Sequence, residues 1–223
     1  MMEETINNKK PGECLMKPLM ERLYDNLDEA KAFAISFTTF IYDYDDMLID
    51  DYCSFPCECC GRMIQEKDYL APKSNCKKPC GILTTFNFGV SSTLRDDLIA
   101  NFDITEEDFR PIRSKKGEIV YYQITPQHTM LPLEHENKWR ANKPCPQCGS
   151  YFYKNHAQEN NKGEDFYYIS QRAIDDMHDI NVTFEKFSKF YIPHFVISRR
   201  VYDYLVERYP KTHFFPFFLK KQQ

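Results

Sequence analysis

The chain has 223 residues, 42% hydrophobic and 15% aromatic with only 7 glycines, which excludes a disordered polymer and favours sheet packed by Tyr and Phe. Its 33 acidic and 29 basic residues leave a net charge of -4, against a general polyanion binder, whose footprint is a basic face. Nine cysteines behind an N-terminus, "MMEETINNKKPGECLMKPLM", that carries no secretion signal point to thiols and metal ligands in a reducing cytoplasm, because an odd number cannot pair completely.

In chain order, residues 1 to 12 are polar, and Leu19, Leu23 and Leu27 have helix-compatible spacing that predicts one short helix. A strand is expected over Phe33 to Tyr44. It leads into "YDYDDMLIDDY", which holds Asp43, Asp45, Asp46, Asp50 and Asp51 with no basic residue. This stretch reads either as a solvated acidic loop or as an acidic, aromatic patch for a basic protein partner. No run of 18 apolar residues occurs, so no membrane span is expected.

Two short stretches have the form Cys-x-x-Cys-Gly: "CECCG", with Cys57, Cys60 and Gly61, and "CPQCG", with Cys145, Cys148 and Gly149. Each reads as a metal knuckle, in which two sulfurs face one point and the glycine takes a positive φ. One knuckle supplies two ligands and structural zinc wants four, so the simplest site is Zn²⁺ held by Cys57, Cys60, Cys145 and Cys148. "NCKKPCG" offers Cys76 and Cys80 as alternative ligands, since Cys57, Cys60, Cys76 and Cys80 have an ordinary zinc-ribbon spacing. Closing a loop of 84 residues rather than 15 costs only about 1.5 kcal/mol more, so separation does not choose between them. Pairing the knuckles is preferred because Cys145 and Cys148 otherwise have no partner pair. Cys14, Cys53 and Cys59 read as buried free thiols that pack as small hydrophobes.

An internal echo organises the rest. "FGVSSTLRDDL" (88 to 98) and "FVISRRVYDYL" (195 to 205) align without a gap, and each is followed by an aromatic-proline strand, "DFRPI" and "HFFPF". Ser91 and Ser198 read as helix N-caps, with apolar residues three and seven positions on facing the core. "YYISQRAIDDM" (167 to 177) repeats the pattern more faintly. "GEIVYYQITPQ" is a strand, and a proline-punctuated loop from Pro126 to Pro146 carries the single tryptophan, Trp139. The expected fold is α+β: two related strand-helix-strand modules, each preceded by a CxxCG knuckle, on mixed or antiparallel sheet. Residues 1–50 form an N-terminal segment, 51–125 the first knuckle and module, and 126–223 the linker, second knuckle and second module. The two modules form either two lobes or one compact domain.

The histidines show no HExxH or His-x-Glu signature, and no phosphate loop or nucleophile elbow is present. No catalysis is expected, because four thiolates close a site to water. A competing reading is a zinc-ribbon nucleic-acid-binding or transcription-associated protein, drawn from the lysines of "NCKKPCG" and "RSKKGE".

The paired knuckles, each leading to a Ser-capped module and an aromatic-proline strand, make residues 53 to 219 resemble the double-CXXCG motif immunity proteins of bacterial polymorphic toxin systems. That resemblance implies a cytoplasmic protein that binds and neutralises a cognate protein toxin, with zinc as a structural staple and no turnover.

Overall fold

The computed structural model describes residues 26–37, 41, 53–65, 67–68, 78–84, 87–134, 139–155, 167–187, 191–210 and 212–220. The acidic stretch Asp43, Asp45, Asp46, Asp50 and Asp51 lies outside them, as do Cys14, Cys76 and the helix expected before Leu27, apart from a 3-10 turn at Leu27–Glu29.

Among the described residues the strands are β1 (Ala30–Ile35), β2 (Cys53–Ser54), β3 (Ile64–Gln65), β4 (Cys80–Thr84), β5 (Asn87–Val90), β6 (Phe109–Arg113), β7 (Ile119–Ile124), β8 (Trp139–Ala141), β9 (Tyr153–Asn155), β10 (Tyr167–Ile169), β11 (Ile180–Phe187), β12 (Ile192–Ser198) and β13 (Phe214–Leu219). The helices are α1 (Ser92–Asn101), α2 (Gln171–Asp176) and α3 (Arg199–Arg208). Seven strands form a mixed sheet in the order β10-β13-β1-β12-β11-β9-β8, four form an antiparallel sheet β4-β5-β7-β6, and β2 pairs β3. The class is α+β, as expected. No helix among the described residues is long and apolar enough to cross a membrane.

The helices start where the sequence places their caps. Ser91, Ser170 and Ser198 each have extended backbone and accept the backbone N–H three residues on, from Leu94, Ala173 and Val201. This satisfies a donor that the first helical turn would leave orphaned. The residues three and seven positions after Ser91 and Ser198, namely Leu94, Leu98, Val201 and Leu205, are all buried. In both stretches the strands flanking the helix are not neighbours. β7 lies between β5 and β6, and β1 lies between β12 and β13, antiparallel to each.

The main core fills the space between the two sheets and helices α1 and α3, and it draws Phe33 from β1, Val90 and Leu94 from the first stretch, and Ile197, Tyr202 and Phe214 from the second. Side-chain alternation along β1 explains its place in the middle. Phe33 and Ile35 enter this core, whereas Ala32 and Ala34 enter a second cluster, with α2, on the other face of the sheet. Phe33 stacks on Tyr202 with ring centroids 3.6 Å apart, and Phe214 meets both edge-on.

Two expectations are corrected in extent. The strand expected over Phe33 to Tyr44 begins earlier and stops at Ile35, because its partner β13 begins at Phe214, opposite Ile35. The loop expected from Pro126 to Pro146 contains β8, which exists because β9 returns antiparallel beside it, with Trp139 opposite Asn155. Pro216 is tolerated in the interior strand β13 because β10 covers only Phe217 to Leu219.

Candidate metal centre

Each knuckle is the tip of a β-hairpin: Cys57 and Cys60 lie between β2 and β3, and Cys145 and Cys148 between β8 and β9. The turns are built alike. The Gly61 N–H donates to the Cys57 carbonyl at 2.8 Å, and the Gly149 N–H donates to the Cys145 carbonyl at 2.8 Å. Both glycines are left-handed, with φ of 64° and 71°, a conformation that costs a residue with a Cβ about 1–2 kcal/mol. This is why both stretches end in Gly.

The hairpins meet tip to tip. The Cys57 and Cys145 sulfurs are 3.7 Å apart and those of Cys60 and Cys148 3.6 Å apart, and all four lie within 4.8 Å of one another. A zinc–thiolate bond of about 2.3 Å sets tetrahedral sulfurs about 3.8 Å apart, whereas a disulfide would need about 2.0 Å. The donor set therefore fits a four-thiolate metal ion and not two disulfides. A second contact ties the tips, Arg62 Nη1 donating to Ser150 Oγ at 3.2 Å.

The thiols are electrostatically unequal. Backbone N–H groups of Cys148 and Gln147 aimed at the Cys145 sulfur bring its pKa down to about 6, against the burial that opposes ionisation. The Ser150 hydroxyl and N–H lower that of Cys148. Cys57 receives the Cys60 N–H, which lowers its pKa, yet burial and three neighbouring thiols prevail and push it up to about 12. The first thiolate therefore forms on the second knuckle, and thiolate is the form that binds metal.

The two hairpins hang from different sheets. Gln65 of β3 exchanges side-chain amide hydrogen bonds of 3.1 and 3.0 Å with the buried Gln123 of β7, which also donates to Asn87 of β5. β9 pairs with β11 of the seven-stranded sheet. The cysteine cluster thus brings a hairpin bonded to the middle strands of the four-stranded sheet against the β9-β8 edge of the seven-stranded sheet.

The alternative ligand Cys80 is elsewhere. It lies in β4, packed against the main core, where burial pushes its pKa up to about 12. Cys53 is buried in β2, as expected of a packing thiol, whereas Cys59 is exposed. The expectation of a buried thiol at Cys59 is corrected: it is exposed within the first knuckle, and the neighbouring Cys145 thiol raises its pKa.

Sequence reasoning missed Tyr191. It is the only described non-glycine residue with a positive φ, 62°, in the turn between β11 and β12. Its hydroxyl lies beside the cysteine cluster, where the neighbouring Cys60 thiol and burial raise its pKa, and its ring meets Phe152 edge-on at 5.4 Å. Nothing local in "YIPH" announces this position, because the cysteine cluster beside it comes from two hairpins distant in sequence.

Comparison with family models, curated proteins and solved structures finds no significant match.

Proposed function

We propose that this chain is an immunity protein of the double-CXXCG kind, which binds and neutralises a cognate bacterial toxin in the cytoplasm without catalysis and uses Zn²⁺ on Cys57, Cys60, Cys145 and Cys148 as a structural staple. The observation that carries the reading is the convergence of two CxxCG tips, from positions 88 residues apart, on one four-thiol cluster. With all four positions taken by sulfur, the ion cross-links the chain and has no open site for water. Such an arrangement suits a rigid binder better than an enzyme. The facing hairpins also favour a second reading, a ribbon-type nucleic-acid binder, but the net charge of -4 opposes it.

Two measurements test the proposal. Metal analysis of the purified protein should give one zinc per chain, absent from a Cys145→Ser, Cys148→Ser double variant; iron in its place would change the metal but keep the staple. Co-expression with the toxin encoded beside it should restore growth, and the double variant should protect less. Growth arrest despite folded, zinc-loaded protein would overturn the immunity reading.

A further inference from the structure

The residues that follow the two knuckle glycines, Arg62 after Gly61 and Ser150 after Gly149, occupy matching positions in the sequence, and the structure joins them. Arg62 Nη1 donates to Ser150 Oγ at 3.2 Å, across 88 residues of chain. The bridge sits at the weakest point of the cysteine cluster. Cys57 and Cys145 are buried and Cys60 is half-buried, whereas Cys148 is exposed, so protons and competing chelators reach its sulfur first. Arg62, Ser150 and Cys148 line one open cleft between the hairpin tips, and no carboxylate is among its described lining residues. Arg62 forms no ion pair among the described residues, and its Nε is enclosed without a hydrogen-bond partner. A guanidinium stays charged in proteins, so a partly enclosed one needs a negative neighbour. Four thiolates around a divalent ion keep a net double negative charge and supply that neighbour.

We propose that Arg62 is the positioning residue of the metal centre: it grips the Ser150 hydroxyl of the opposite knuckle, leaves the hydrogen of that hydroxyl for Cys148, and offsets the charge that four thiolates keep around a divalent ion. The inference rests on the metal reading of the four cysteines. A serine hydroxyl has one hydrogen to give and two lone pairs to receive with. With a lone pair taken by the guanidinium, the hydrogen is free for sulfur, and the Ser150 hydroxyl and N–H do hold the Cys148 pKa down. Partners of this kind tune metal affinity nearly as strongly as the ligands themselves. A fixed positive charge also stabilises the more negative of two metal states, so in an iron-loaded centre it favours ferrous over ferric ion. Lys186 lines the same cleft but is exposed, where water and salt screen its charge. It serves as the comparison cation.

The test uses the full-length protein, loaded with zinc and separately with iron, and the single variants Arg62→Gln, Arg62→Lys, Ser150→Ala and Lys186→Gln. In competition with a chromophoric chelator, Arg62→Gln should hold zinc about ten- to a hundredfold less tightly than wild type. Ser150→Ala should also hold it less tightly, which keeps the test open if Arg62→Gln fails to fold, and Lys186→Gln should stay close to wild type. The reduction potential of the iron-loaded protein should fall in Arg62→Gln and return towards wild type in Arg62→Lys, a rescue by charge that a purely structural role would not give. Wild-type zinc affinity in both Arg62→Gln and Ser150→Ala, a potential indifferent to the charge at position 62, or an equal loss of affinity in Lys186→Gln overturns the proposal. A wild-type protein that holds no divalent ion overturns the metal reading and this inference together. A zinc-loaded wild type with indifferent variants overturns this inference alone.

Discussion

The aromatic core and the cysteine centre both hold the two sheets together, by opposite physics. Around Phe33 the work is spread over many buried side chains from both sheets and helices α1 and α3, so each truncation removes a fraction of a large sum. At the cysteine centre four sulfur atoms would do it once they hold an ion, and losing one ligand, or protonating it, would then remove the whole cross-link. Dispersed apolar burial scarcely responds to pH or chelators, whereas a thiolate centre responds steeply to both. The difference implies that a metal-loaded centre would govern the two hairpins, while the core governs global stability.

The largest expected break in that contrast is Phe33→Ala. It removes a fully buried ring stacked on Tyr202 and should cost about 4 kcal/mol in chemical denaturation. Metal stoichiometry should stay unchanged, and loss of metal in the folded variant would show that the two regions are not separable.

A smaller effect should come from acid acting on the core through His194. Its Nε2 lies 2.8 Å from the Tyr167 hydroxyl, and burial pushes its pKa down to about 4 from an unfolded value near 6.5. Because the unfolded chain then binds the proton more readily, the stabilisation is complete above about pH 6.5. It declines as pH falls towards 4 and levels off below, a total of up to about 3 kcal/mol. A His194→Gln variant should lack this slope in denaturation measured across that range. Comparing variant with wild type cancels the proton dependence that both share at the thiolates.

The smallest effect should be Gly149→Ala. An added Cβ would meet nothing within 4 Å, so the cost is backbone strain alone, about 1–2 kcal/mol. It should appear as easier loss of metal to a chelator, with little change in global stability. An equal loss of global stability would mean that knuckle and core unfold as one unit.

What could be read in the sequence was local. The Ser caps and the apolar residues three and seven positions beyond them depend on one helical turn, and the CxxCG turns depend on two residues and a glycine. Both appear where the spacing put them. The pairing of the two knuckles was legible for a related reason: each is a complete half-site, and a half-site without a partner is chemically unfinished. The insertion of β1 between β12 and β13 was not legible, because no local feature of "AKAFAI" distinguishes a central strand from another buried one. Nor was the open cleft between the hairpin tips, whose walls come from both hairpins, β11 and the turn at Tyr191, each with its own local reason to exist. The acidic stretch from Asp43 to Asp51 stays a sequence-level candidate for a basic partner and lies outside the described residues.

The position of β1 also bears on synthesis. Its hydrogen-bonding neighbours on either side are β12 and β13, so Phe33 leaves the ribosome well before either strand that will flank it. At about 5–20 residues per second that wait lasts roughly ten to forty seconds. During this time the apolar stretch that becomes β1 has neither of its partner strands to pair with. The first strand of the described chain is thus among the last to be paired on both edges.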